Sequence, residues 1–210
     1  MEKLARRFYR DHRKVLGLVT ERSPGWGFPE AVRRVFGAEP RPGKAVRIGN
    51  RNFIYSSQSD NLVSFLPARW RDAVDGAKGR FPGCEKWWAG YPFITWVEVR
   101  ANNDGTSGYL KLNAEVGPIS DHDARARLIE AVTLAASAGD WQRIRFETKS
   151  ADASRLYSRF LRMNSLVLDD IRDPDETEQK LIRLVTDFEP EIEMVGTALL
   201  QHLRLANNGN

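Results

Sequence analysis

Residues 93 to 116 constrain the fold most. Phe93 to Arg100 and Tyr109 to Val116 are apolar, β-branched and aromatic runs with strand character, separated by Asn102-Asn103-Asp104-Gly105-Thr106-Ser107-Gly108. Two strands around so polar and glycine-bearing a loop predict an antiparallel hairpin, and with Asp104-Gly105 near its turn Glu98 falls opposite Lys111 as a cross-strand ion pair. A chain built around such a hairpin must cover at least one apolar sheet face, and the flanking segments carry helical periodicity. After Gly117-Pro118, Ser120 or Asp121 is suited to cap a helix that runs to Ala138 and stops at Gly139. Asp173-Pro174-Asp175-Glu176 opens the last helical segment, whose stripe of Leu181, Leu184, Val185, Phe188, Ile192, Val195, Leu199 and Leu203 is interrupted at Pro190.

The remaining elements follow the same logic. Val46, Ile48, Phe53 and Tyr55 alternate around Gly49-Asn50, which predicts a short strand or a tight hairpin. Pro67 to Asp75 is helix-like, Phe81 to Tyr91 is aromatic and irregular, Trp141 to Glu147 reads as a strand, and a helix starting at Ser150 or Asp152 carries Leu156, Tyr157, Phe160 and Leu161. Ahead of them, residues 2 to 19 form an amphipathic helical pattern with Leu4, Ala5, Phe8, Val15, Leu16 and Val19 on one arc. Ser23 to Phe28 is a turn into a second helix, with Pro29 in its first turn and Gly37 at its end, and Glu39 to Lys44 is the best linker in the chain. The expected architecture is α+β: a mostly antiparallel sheet flanked by helices, with a basic helical arm over residues 1–38, long C-terminal helices, and an α+β domain over 39–210 that forms one structural unit with the arm.

Charge is uneven along the chain. The net +4 of the 210 residues resolves into +8 for residues 1 to 51, +1 for 52 to 100, −1 for 101 to 150 and −4 for 151 to 210. Within the arm, Lys3, Arg7, Arg10 and Lys14 recur at helical spacing, with Arg6 and Arg13 beside them, a stripe that can track phosphates. The alternative is a face that is solvated or docked on the acidic C-terminal helices. Trp26, Trp87 and Trp88 are either base-stacking side chains or ordinary core aromatics.

Catalytic patterns are sparse. His12, His122 and His202 are isolated, Cys84 stands alone in Pro82-Gly83-Cys84-Glu85-Lys86, and no GxSxG, Walker or dinucleotide glycine pattern occurs. His122 is expected in an exposed first turn and Cys84 as an inert thiol. Glu147-Thr148-Lys149 matches the Glu-x-Lys half of a metal-dependent nuclease site, which needs both side chains on one strand face and an acid on the preceding partner strand. Asp140 sits on the same expected strand, so that acid is missing; Glu98 with Glu115 is a second pair, but Gly117 follows where a lysine would stand. No apolar run reaches the 18 residues of a membrane span and MEKLARRFYR has no signal core, so a cytoplasmic protein without a membrane partner and without a cofactor is expected.

Leu62-Val63-Ser64-Phe65-Leu66-Pro67-Ala68-Arg69-Trp70, Leu112 to Pro118 and Arg155-Leu156-Tyr157-Ser158-Arg159-Phe160-Leu161 resemble, in this order, the region that follows the catalytic core in bacterial proteins of the PD-(D/E)XK nuclease superfamily. The resemblance covers roughly residues 60 to 205 and is to the accessory part, so no catalytic residue carries over. It implies a non-catalytic accessory domain that recognises DNA or RNA backbone, a nuclease partner, or another copy of itself. Lys3, Arg6, Arg7, Arg10 and Lys14 are the expected phosphate contacts; a protein-interaction or oligomerisation scaffold and, behind it, a degenerate Mg-dependent nuclease are the competing expectations.

Overall fold

The protein is described by a computed structural model covering residues 26–76, 81–88 and 90–208. Among these residues seven strands form one antiparallel sheet in the order β1-β2-β3-β4-β5-β6, with β7 also paired to β5. They are β1 (Ala45–Ile48), β2 (Arg51–Ser59), β3 (Leu62–Pro67), β4 (Phe93–Ala101), β5 (Gly108–Val116), β6 (Ser158–Arg159) and β7 (Ser165–Leu168). Five helices accompany them: α1 (Gly27–Phe36), α2 (Ala68–Asp75), α3 (His122–Ala138), α4 (Pro174–Asp187) and α5 (Glu189–Asn208). The fold is thus α+β with a mostly antiparallel sheet and C-terminal helices.

The central hairpin has the expected register. Glu98 lies opposite Lys111 and Trp96 opposite Asn113, but the expected Glu98–Lys111 ion pair does not form, because Glu98 takes Arg100 and Asn113 instead. Asp104 organises the loop by accepting from the Thr106 and Ser107 amides at 2.7 and 2.8 Å. Those donors, together with the Ser107 hydroxyl, hold the Asp104 carboxyl far below the ordinary carboxylate range. Gly49-Asn50 makes the two-residue turn of β1 and β2, with Gly49 at φ 57°. Its left-handed backbone and the approach of Glu189 and Thr186 to where a Cβ would stand both require glycine.

Strand alternation sorts the sheet into two faces. Phe93, Thr95, Val97 and Val99 of β4 share one face with Leu110, Leu112, Ala114 and Val116 of β5, and all are buried. The described helices cover this face. Phe36 of α1 meets Tyr55 and Phe65, and Trp70 of α2 meets Phe93 and Phe160 with ring centroids 5.5 to 6.2 Å apart. Trp70 also donates its indole N–H to the Ile192 carbonyl of α5 at 2.8 Å, which satisfies the polar atom of an otherwise apolar anchor. Phe28, Val32 and Phe36 of α1 belong to the same core cluster as α3, α4 and α5.

Helix ends follow the sequence signals. Asp121 accepts from the Ala124 amide at 2.9 Å, and Asp173 accepts from the Asp175 and Glu176 amides. The C-terminal stripe divides at Phe188, leaving Pro190 in the first turn of α5, where its missing N–H costs no helical hydrogen bond. Two expectations are corrected. Trp141 to Glu147 is not a strand: Asp140 turns left-handed at φ 53°, and the segment makes only an isolated bridge, Ile144 to Leu161. No helix follows Ser150 or Asp152 either, because the Ser150 carbonyl is occupied by Arg125 and the Ser158 hydroxyl, and the chain enters β6 instead. Phe160 and Leu161 are buried as expected, reached by a strand rather than a helix face, whereas Leu156 and Tyr157 are exposed.

Candidate nucleic-acid interface

The basic stripe of Lys3, Arg6, Arg7, Arg10 and Lys14 lies outside the described residues. What the structure does place is its expected counter-charge. Asp175 and Glu178 of α4 accept from Arg34 of α1 at 2.5 and 3.2 Å. Glu193 of α5 is held by Arg51 of β2 and Arg69 of α2, and Glu189 accepts from the Asn50 amide at 2.9 Å beside Arg51. Glu191, buried, takes a bidentate pair from Arg143, whose guanidinium also lies 4.1 Å from the Phe188 ring centroid. Lys180 meets Glu176 and Asp169, Arg183 meets Asp187, and Arg172 meets Asp170. The acidic C-terminal helices are therefore matched by cations of the described chain.

The second sheet face carries a different chemistry. Trp96, Glu98 and Arg100 of β4 share it with Asn113 and Lys111 of β5, and Arg159 of β6 lies opposite Glu115. Glu98 accepts from Asn113 and from Arg100, each at 3.1 Å. Glu115 accepts from Arg159 at 3.2 Å, yet burial raises its pKa against that pair. The Arg159 guanidinium also sits 4.8 Å from the Trp96 ring centroid, a cation–π distance.

Onto Trp96 stacks Trp88, with centroids 5.4 Å apart and planes 29° apart. The local chain explains how two adjacent tryptophans come to face different ways. Trp87 is buried, its ring occupying the space that a Cβ on Gly117 would need, and it packs near Tyr157. The Gly90 amide then closes a turn by donating to the Trp87 carbonyl at 2.8 Å, with Trp88 at the corner in a left-handed conformation, φ 47°. Upstream, Glu85 accepts from the Gly83 amide and Cys84 lies against the Phe81 and Gly90 carbonyls. Of the three candidate tryptophans, Trp26 is half-buried, Trp87 is core and Trp88 is 39% exposed.

No family model, curated protein or solved structure matches the chain.

The other candidate residues separate. Glu147 and Lys149 are not on a strand: a turn closed from the Ser150 amide to the Glu147 carbonyl carries them, Lys149 is left-handed at φ 66°, and Glu147 faces Arg155 at 3.5 Å. The one-face geometry of a Glu-x-Lys pair does not form there. Among the described residues no group of three or more His, Cys, Asp or Glu could hold a metal. Cys84 is buried and burial raises its pKa, which disfavours the nucleophilic thiolate. His122 is exposed at the start of α3, as expected. Lys149 and Arg145 line a groove of about 670 Å³ beside α3, and neither has an ion-pair partner among the described residues.

Arg125 was not anticipated. It is 1% exposed, and its guanidinium donates to the Gly117 carbonyl at 3.1 Å, the Ser150 carbonyl at 2.9 Å and the Ser158 hydroxyl at 2.7 Å. This clamp joins α3 to the end of β5 and the start of β6. A signal existed, since Arg125 stands at helical spacing from Leu128, Ile129 and Val132, all buried on the same side.

Proposed function

We propose that this chain is a non-catalytic, nucleic-acid-associated accessory module whose N-terminal basic stripe, Lys3, Arg6, Arg7, Arg10 and Lys14, contacts phosphates. The observation that carries the reading is the pairing of the C-terminal acids. Asp175, Glu178, Glu189 and Glu193, on the C-terminal helices that could have met the basic arm, are engaged by Arg34, Arg51 and Arg69. An external polyanion is the counter-charge this distribution supports best. Exposed Arg145 and Lys149 add cationic surface to the same chain.

Fluorescence anisotropy with a labelled duplex at low salt tests the reading. The intact chain is expected to bind, and a variant with Lys3, Arg6, Arg7, Arg10 and Lys14 changed to Gln is expected to lose most of that affinity while unfolding at the same temperature. Equal binding by the two proteins would remove the stripe from the interface. A concentration-dependent mass in light scattering without any nucleic-acid binding would instead favour the scaffold reading.

A further inference from the structure

Trp88 combines three properties that a packing residue does not need together. It is exposed while its neighbour Trp87 anchors the loop in the core. Its backbone occupies the left-handed region at φ 47°, which a bulky L residue rarely adopts. Its ring nevertheless has a fixed orientation, stacked on Trp96, which is itself buried and backed by Arg159. A flexible exposed tryptophan would lose rotamer freedom on meeting a ligand; this one is already oriented.

The surrounding charge selects the ligand. Arg100, Lys111 and Arg159 stand on the same sheet face as Trp96. Lys111 has no ion-pair partner among the described residues, and the side chains of Arg100 and Arg159 are each about half exposed although paired. A flat aromatic surface beside cations matches unstacked bases on a phosphate chain, because any base offers a π face and the backbone supplies negative charge. A duplex keeps its bases stacked inside and cannot use such a surface without opening.

Resting on the nucleic-acid reading above, we propose that Trp88 is a stacking platform for unpaired bases of single-stranded DNA or RNA, with Arg100, Lys111 and Arg159 meeting the flanking phosphates. The site recognises the shared chemistry of an unpaired base and its phosphate, and the sugar distinguishes the two sources.

The test uses the full chain with labelled oligothymidylate and oligouridylate of about twenty nucleotides, a duplex, and an abasic phosphodiester of equal length. Trp88→Ala is expected to weaken both single strands roughly tenfold or more, to leave the duplex and the abasic chain unchanged, and to be largely rescued by Trp88→Phe. The stronger of the two single strands identifies the source. Unchanged oligothymidylate and oligouridylate binding by Trp88→Ala overturns the platform while leaving the arm reading intact, and so does an equal loss on all four ligands. A wild-type chain that binds none of them overturns both. Should Trp88→Ala not fold, bromouracil-containing single strands photocrosslinked to the unaltered chain decide: a crosslink in residues 81–92 supports the platform, and crosslinks confined to other segments refute it.

Discussion

Arg125 shows how much one side chain can organise. A buried guanidinium needs its donors satisfied, and here two carbonyls and a hydroxyl from three separate segments supply the acceptors. Arg125→Met preserves length and apolar stem but leaves the Gly117 and Ser150 carbonyls without this donor. It is expected to destabilise the fold by about 2–4 kcal/mol in urea unfolding. Glu115 behaves oppositely, because burial of its carboxylate outweighs the Arg159 pair and raises its pKa above the unfolded value. The folded state then holds the proton more readily than the unfolded one, so this group favours folding as pH falls through the folded pKa and disfavours it above. Relative to Glu115→Gln, the wild-type chain should gain stability as the pH falls from neutral through the raised Glu115 pKa; a relative loss on acidification, measured by urea midpoints, would contradict this. Both residues were hard to read as structural from sequence alone. A charged letter in a helix or strand normally means a solvated face, and only the fold shows that the partners of Arg125 come from residues 117, 150 and 158.

Local chemistry decided most elements. Asp121, Asp173, Pro174, Gly37, Gly49 and Pro190 each sit where capping and turn rules place them, because those rules concern backbone groups within a few residues. Asp173→Ala removes the acceptor for two orphan amides of α4 and is expected to cost about 1 kcal/mol, visible as a lowered thermal midpoint. A loss near zero would mean that Glu176, which reaches back to the Asp169 and Asp170 amides, holds this helix start alone. The two misread elements differ in cause. Residues 141–147 follow the left-handed turn at Asp140 and make only an isolated bridge, whereas in 150–161 long-range partners override the helical spacing: Arg125 claims the Ser150 carbonyl, and β5 claims residues 158 and 159. The two-residue β6 exists only as a partner of β5, so its own sequence carries almost no signal.

Across the whole molecule, the charge asymmetry is the feature on which the proposed function rests. The −4 of residues 151–210 is answered inside the fold by Arg34, Arg51, Arg69 and Arg143, together with local partners on the helices themselves. The asymmetry was legible in the sequence, but its internal matching was not, because Arg34 and Asp175 meet only after α1 packs on α4. The candidate site was legible in the same partial way: Trp88 stood among three tryptophans, and its separation from Trp26 and Trp87 depends on the loop turning at residues 87–90. On the proposed function, the first segment of the chain uses its cations on phosphates. Phosphate contacts release counterions, so the dependence of affinity on salt reports them directly. The deciding measurement is the log–log slope of the duplex association constant against salt, for the wild-type chain and the five-residue Gln variant. Five contacts predict a slope of about −4.5 for the wild type, collapsing towards zero in the variant; a slope that is shallow in both, or identical in both, contradicts phosphate contact by this segment.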